Sequence, residues 1–174
     1  MYPKAYLDYL YHFHCDRDYF ECHEVLEEYW KEKDASEREV HWVGLIQIAV
    51  GLYHQRRGNF NGASRMLQNA SRILGNEAVA IEALGLDSGE LVKLLEERIV
   101  CVTKHEPYVS MNLPIVDPDL QLSCDAMAIS GGKVWGAASD LHDGSLVNRH
   151  TLRDRSDVIA ERQRQLELRK RGVD

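Results

Sequence analysis

The chain has 174 residues and a mass of 20.0 kDa, the size of one domain or of one domain with an extension, and a core can form at that length without disulfide or metal staples. Apolar residues at 44% and charged residues at 28% exclude a disordered chain. A net charge of −7 argues against a general binder of nucleic acid or anionic membranes, although it leaves room for a local basic patch.

The first residues, Met1 to Asp8, lack the apolar run and small-residue cleavage site of a signal peptide. Four cysteines, Cys15, Cys22, Cys101 and Cys124, form no CxxC pair and no regular framework, so reduced thiols and a cytoplasmic protein are expected. Pro3 suits a first helical turn, and Tyr6, Leu7, Leu10 and Phe13 draw a helical stripe ahead of Asp16. Asp18, with Glu21 three residues on, is a capping-box variant opening a helix through Lys31. Its residues Tyr19, Cys22, Val25, Leu26 and Tyr29 recur at helical spacing.

From Val40 to Gln55 there are 16 residues without Asp, Glu, Lys or Arg, interrupted by His41, Gln47 and His54. That run is short for a bilayer span, so no membrane crossing is expected. Apolar nearly all round, about Glu39 to Arg57 reads as the central helix of a bundle, ended by Gly58 and Asn59. Asn61 is positioned to cap a fourth helix whose Ala63, Met66, Leu67, Ala70, Ile73 and Leu74 fit one helical face, with Gly75 as its stop. A short piece from Glu77 to Leu84 follows, and Asp87 with Glu90 caps a helix carrying Leu91, Leu94, Leu95, Ile99 and Val102.

Composition changes after His105. Pro107, Pro114 and Pro118 suggest an extended strap, and Asp117-Pro118 reads as a cap and first turn for a helix with Leu120, Cys124 and Met127, ended by Gly131-Gly132. Strands have one place to hide, Lys133 to Val147. Residues 105–144 carry one basic and six acidic side chains, whereas from Ser145 onward eight basic residues face five acidic ones. Thr151 and Asp154 form another capping box before a polar helix with Leu152, Ile159 and Leu166 seven residues apart, a stripe too narrow for a core element but able to meet a partner or a second copy. The arginines of this tail read first as a solvated face. The expected organisation is all-α: a compact multi-helix bundle domain over 1–104, then a Pro-containing strap and helical C-terminal extension over 105–174.

The candidate site lies in the first three helices. His23 and Glu27 are i, i+4 neighbours, Glu24 lies farther toward the polar side, and Gln47 and His54 sit two turns apart on the third helix. Gly44 and Gly51 flank them; helix-interior glycines cost roughly 1 kcal/mol each and suit places where another backbone or a ligand comes close. If these faces meet, His23, Glu24, Glu27, Gln47 and His54 converge. Histidines and carboxylates facing one another in a bundle can hold Zn, Mn or Fe. His23, Glu27 and His54 are then the metal ligands, Gln47 a binding residue, and Glu24 the general base for a bound water.

No zincin or di-iron spacing is present: a zincin needs His where Glu27 stands. The same cluster also suits three other roles: a charge-assisted hydrogen bond that fixes helix register, a site for a small ligand, and acid/base chemistry without a metal. A second group, His12, His14, Cys15 and Cys22, has ligand-type residues but matches no zinc module.

The stretch Tyr19-Phe20-Glu21-x-His23-Glu24-x-x-Glu27-x-x-Trp30, followed by Gly44-Leu45-Ile46-Gln47-x-Ala49, His54, Gly58-Asn59 and Gly62-Ala63, resembles the signature of the bacterial family known as domain of unknown function 309. The likeness covers roughly residues 10 to 75. It implies an all-helical fold, carries no activity, and puts His23, Glu24, Glu27, Gln47 and His54 at the family's motif positions. The part after His105, including His150 to Arg155, looks like an extension of Bacillus-type members.

The sequence thus leaves two readings. One is a cytoplasmic helical protein with a His/Glu site for a divalent metal or small ligand; the other is a non-enzymatic interaction module whose cluster is structural and whose C-terminal helix contacts a partner.

Overall fold

Eleven of the 17 residues in the helix Val40–Arg56 are buried, so this segment can only sit in the middle of a bundle. The computed structural model describes residues 1–152 and 156–172. In chain order the helices are α1 (Lys4–Tyr11), α2 (Tyr19–Glu32), α3 (Val40–Arg56), α4 (Phe60–Gly75), α5 (Ala78–Ala83), α6 (Ser88–Thr103), α7 (Pro118–Ser130), α8 (Gly144–Val147), α9 (Arg149–Leu152) and α10 (Ser156–Arg171). The fold is all-α. Among the described residues the only β feature is an isolated bridge between Leu86 and Ile115, so Lys133 to Val147 forms no strand. No described helix is long and apolar enough to cross a membrane.

Local signals explain most helix starts. The side chains of Asp18, Asp87 and Asp117 accept from the backbone N–H of Glu21, Glu90 and Asp119 respectively. One cap moves: α4 is capped by Asn59, whose Oδ1 accepts from Gly62 N–H, and Asn61 lies inside the helix. Gly58, at φ 77°, turns the chain early enough to leave Asn59 at the cap. The box expected from Thr151 also differs, because Thr151 belongs to α9 and α10 begins at Ser156, while Asp154 lies outside the described residues.

Helix α2 runs antiparallel to α3, with Tyr29 against Trp42 at one end (ring centroids 5.3 Å apart) and Phe20 against Tyr53 at the other (6.2 Å). Helix α4 covers the opposite side of α3. There the two glycines have their explanation: a Cβ on Gly44 would meet Leu74 at 2.6 Å and one on Gly51 would meet Leu67 at 2.7 Å. They admit leucines of α4, not a ligand. Helix α1 ends in a π turn, His12–Asp16, closed by Arg17 in the left-handed region at φ 56°.

That turn is where the strap is fastened. Arg17, 1% exposed, donates to the carbonyls of Phe13 (3.1 Å), Met111 (2.6 Å) and Ala137 (2.8 Å) and to Asn112 Oδ1 (2.8 Å). Buried His14 donates from Nδ1 to the Leu10 carbonyl (2.8 Å) and accepts at Nε2 from Leu113 N–H (2.9 Å), while Trp135 stacks on its ring at 4.3 Å. Tyr108, Met111, Leu113, Leu120 and Cys124 share one core with the first six helices. The extended chain of residues 106–117 therefore lends Tyr108, Met111 and Leu113 to the hydrophobic interior.

Candidate functional site

The residues with chemical potential gather where α2 and α3 face each other near the C-terminal end of α3. Tyr19, Phe20 and His23 of α2, Val50, Tyr53 and His54 of α3, Arg57 just past it, and His150 of α9 line a cavity of about 210 Å³. His23 and His54, 31 positions apart in sequence, share this space. Gln47 is not among the lining residues; its Oε1 is buried without a hydrogen-bond partner, as is Trp30 Nε1.

His23 is held between two carboxylates of its own helix. Its Nδ1 lies 3.1 Å from Glu24 Oε1 and its Nε2 lies 3.3 Å from Glu27 Oε2. Lys31 Nζ, 2.9 Å away, takes the other oxygen of Glu27. One helical turn accounts for the group, since i, i+4 neighbours stand one above the other. His23, Glu24 and Glu27 offer ligand atoms within 4.8 Å of one another, close enough to surround a cation. His54 is outside that triplet.

His54 has a defined tautomer. Asn59 spends its Oδ1 on the α4 cap (3.0 Å), which turns its Nδ2 toward His54 Nδ1 (3.2 Å). Nδ1 therefore accepts, and the neutral ring carries its proton on Nε2. Burial, then the nearby Arg57 and His150, pull the His54 pKa below its ordinary value and favour that neutral form.

His150 meets the Tyr53 hydroxyl with both its backbone and its ring. Tyr53 Oη accepts from the His150 backbone N–H (3.0 Å) and lies 2.6 Å from its Nδ1, within hydrogen-bonding distance. Arg57 extends over the Tyr53 ring, 5.4 Å from its centroid, with Nε donating to Asn148 Oδ1 (3.3 Å). The polar rim is thus made of donors on aromatic walls.

The second group singled out in the sequence ends elsewhere. His12, His14, Cys15 and Cys22 form no ligand set: His14 is satisfied by backbone, the Cys22 thiol faces the Tyr9 carbonyl at 3.5 Å, and His12 pairs with Asp16 at 3.0 Å. Asp16 and Asp18 stand with His12 as a second acidic triplet, but Arg149 Nε already lies 3.1 Å from Asp18 Oδ2. A larger cleft of about 340 Å³ between α6 and the strap contains Arg98, whose Nη1 is bonded to Gln55 Oε1 (3.2 Å) and the Val109 carbonyl (2.5 Å).

Sequence reasoning missed Tyr53, Arg57 and His150 as site residues. Arg57 falls three residues after His54, so a helical-wheel reading reaches it. His150 gives no such signal, because it arrives from the far end of the chain.

Fold and site together define an all-α bundle with a small donor-rimmed cavity between two of its helices. Residues 6–66 match the family described as Domain of unknown function (DUF309), a stretch that holds every lining residue except His150. The chain is also similar to the "Uncharacterized protein YpuF" of Bacillus subtilis (strain 168), with 48% identity over 174 residues and the whole of both chains covered. The chain belongs to this DUF309/YpuF family. No solved structure matches it.

Proposed function

We propose that this protein is a non-membrane helical binding module that takes a small ligand in the cavity between α2 and α3. The observation that carries the reading is the pairing of His23 and His54 in one aromatic-walled space of about 210 Å³. That is smaller than the roughly 300–1,000 Å³ of sites for drug-sized molecules, so the ligand is correspondingly small. Glu24 and Glu27 act in this reading as positioning carboxylates that hold the His23 ring, and Gln47, with an unpartnered buried oxygen, adjusts on binding. Four free cysteines fit a reducing compartment such as the cytoplasm. A fragment screen read on the imidazole resonances of the full chain tests it. Fragments that shift His23 and His54 together support the site, and a screen in which none does overturns it.

A divalent ion, Zn, Mn or Fe, at His23, Glu24 and Glu27 is the rival occupant, favoured by the closeness of their ligand atoms. Both His23 nitrogens already face carboxylates. For His54 to join through Nε2, its proton would have to move to Nδ1 and the Asn59 amide would have to turn, giving up the α4 cap. Thermal melts with each metal separate the two readings. A rise in midpoint that is lost in His23→Ala favours the ion.

Exposed Leu166 and Leu168 on α10 favour an additional role for the tail as contact for a protein partner or a second copy. Sedimentation of the full chain against a chain ending at residue 152 tests self-association: a lower assembly mass on truncation supports it.

A further inference from the structure

We infer that the cavity between α2 and α3 takes a small organic carboxylate with a flat apolar body. The inference rests on the reading of that cavity as a ligand site and names its ligand class. The rim supplies donors where an anionic head would sit. His54, with Nδ1 occupied by Asn59, presents Nε2–H, and Arg57 commits only its Nε to the protein, leaving both Nη groups without a protein hydrogen bond among the described residues. Among the described residues no aspartate or glutamate lines the cavity. The nearest carboxylates on α2 are engaged: Glu27 by His23 and Lys31, and Glu24 by His23.

A cation would therefore meet a guanidinium and an N–H donor with no carboxylate among the described lining residues to offset them. A neutral ligand would leave the guanidinium fork without its natural partner, since planar carboxylates are what that fork bonds in pairs. The walls decide between carboxylate and phosphate. Phe20, Val50 and the rings of Tyr19 and Tyr53 suit a flat hydrocarbon or aromatic body. A dianionic phosphate loses more hydration than one guanidinium and a single N–H replace, whereas a monoanion asks for about that much.

The test is a titration of the full chain with benzoate, its neutral isostere benzamide, and inorganic phosphate, read on the histidine resonances. Benzoate is expected to saturate the His23 and His54 shifts, with benzamide at least tenfold weaker, about 1.4 kcal/mol. Arg57→Gln, at an exposed position, is expected to erase that difference while the fold is retained. Equal binding of benzoate and benzamide overturns the carboxylate assignment, as does phosphate binding more tightly than benzoate with dependence on Arg57. If neutral or cationic fragments shift His23 and His54 while benzoate does not, the ligand class is wrong and the site stands. If no fragment of any charge shifts them, the site reading falls and this inference falls with it.

Discussion

The strap and the tail helix are both C-terminal to the first six helices, yet they relate to the bundle in opposite ways. Along the strap, Tyr108, Met111 and Leu113 are buried, and Arg17 and His14 reach out from the π turn to bond its backbone. Along α10, every described side chain from Ala160 to Arg171 is exposed. The contrast teaches that composition alone does not tell a core element from an appendage. Residues 105–144 carry six acidic side chains and three prolines, hardly a core signature, but their few apolar residues fall where the bundle needs closing. The described side chains of the tail from Ala160 to Arg171, Leu166 and Leu168 included, stay in solvent.

The largest expected effect comes from cutting the fastening. Arg17→Ala removes four donated hydrogen bonds from a buried position and leaves the carbonyls of Phe13, Met111 and Ala137 unpaired. A loss of roughly 3–5 kcal/mol is expected in urea unfolding. Deleting everything after Lys104 should be at least as damaging, because the truncated bundle would expose the core that Tyr108, Met111 and Leu113 cover. A cooperative, near-wild-type melt from residues 1–104 would show instead that the bundle is complete by itself.

Acid is the next lever. Burial pushes the His14 imidazole down to about 3, so the unfolded chain takes up this proton first as pH falls below about 6.5. Its contribution is fully present above that pH and drains away between about 6.5 and 3, amounting to about 3 kcal/mol lost by pH 4. His54, also lowered, acts in the same direction. Urea midpoints at pH 7 and pH 4 should therefore fall more steeply for the wild type than for His14→Gln. Parallel falls would mean that the strap is not held through a neutral imidazole.

At the junction of the two regions, Tyr53→Phe deletes the hydroxyl that serves both the backbone N–H and the Nδ1 of His150. A cost of about 1 kcal/mol is expected, with faster hydrogen exchange confined to residues near 146–152. Exchange unchanged there would show that Arg149 on Asp18, or Arg56 on the Leu146 carbonyl, is sufficient to seat the tail. The smallest effect should come from removing residues 153–174, with stability kept within about 0.5 kcal/mol of the full chain. A large loss would place α10 with the strap and dissolve the contrast.

What could be read beforehand follows the range of the interactions. Caps such as Asp18 and Asp87 bond residues three positions away, and the stripes of α2, α4 and α6 repeat every few residues, so a linear reading reaches them. The i, i+4 pair of His23 and Glu27 was legible for the same reason. Arg17 was not, because its partners stand up to 120 positions along the chain and nothing near it announces burial. His150 meets Tyr53 across 97 positions. The glycines show a subtler gap: Gly44 and Gly51 announce close approach by something, but only the packing says that Leu74 and Leu67 are what comes close.

Those two glycine sockets have a mechanical consequence. A leucine seated in each, two turns apart along α3, works like a pair of dowels: α4 can neither slide along α3 nor roll around it without first lifting both out. The cavity's α3 side is thereby clamped to α4. Any opening or narrowing that accompanies ligand entry has to come from α2 or from the short α9 segment carrying His150. Spin labels across α3 and α4 should accordingly keep one narrow distance distribution, while labels reporting on α2 and on residues near 150 register whatever breathing the site performs.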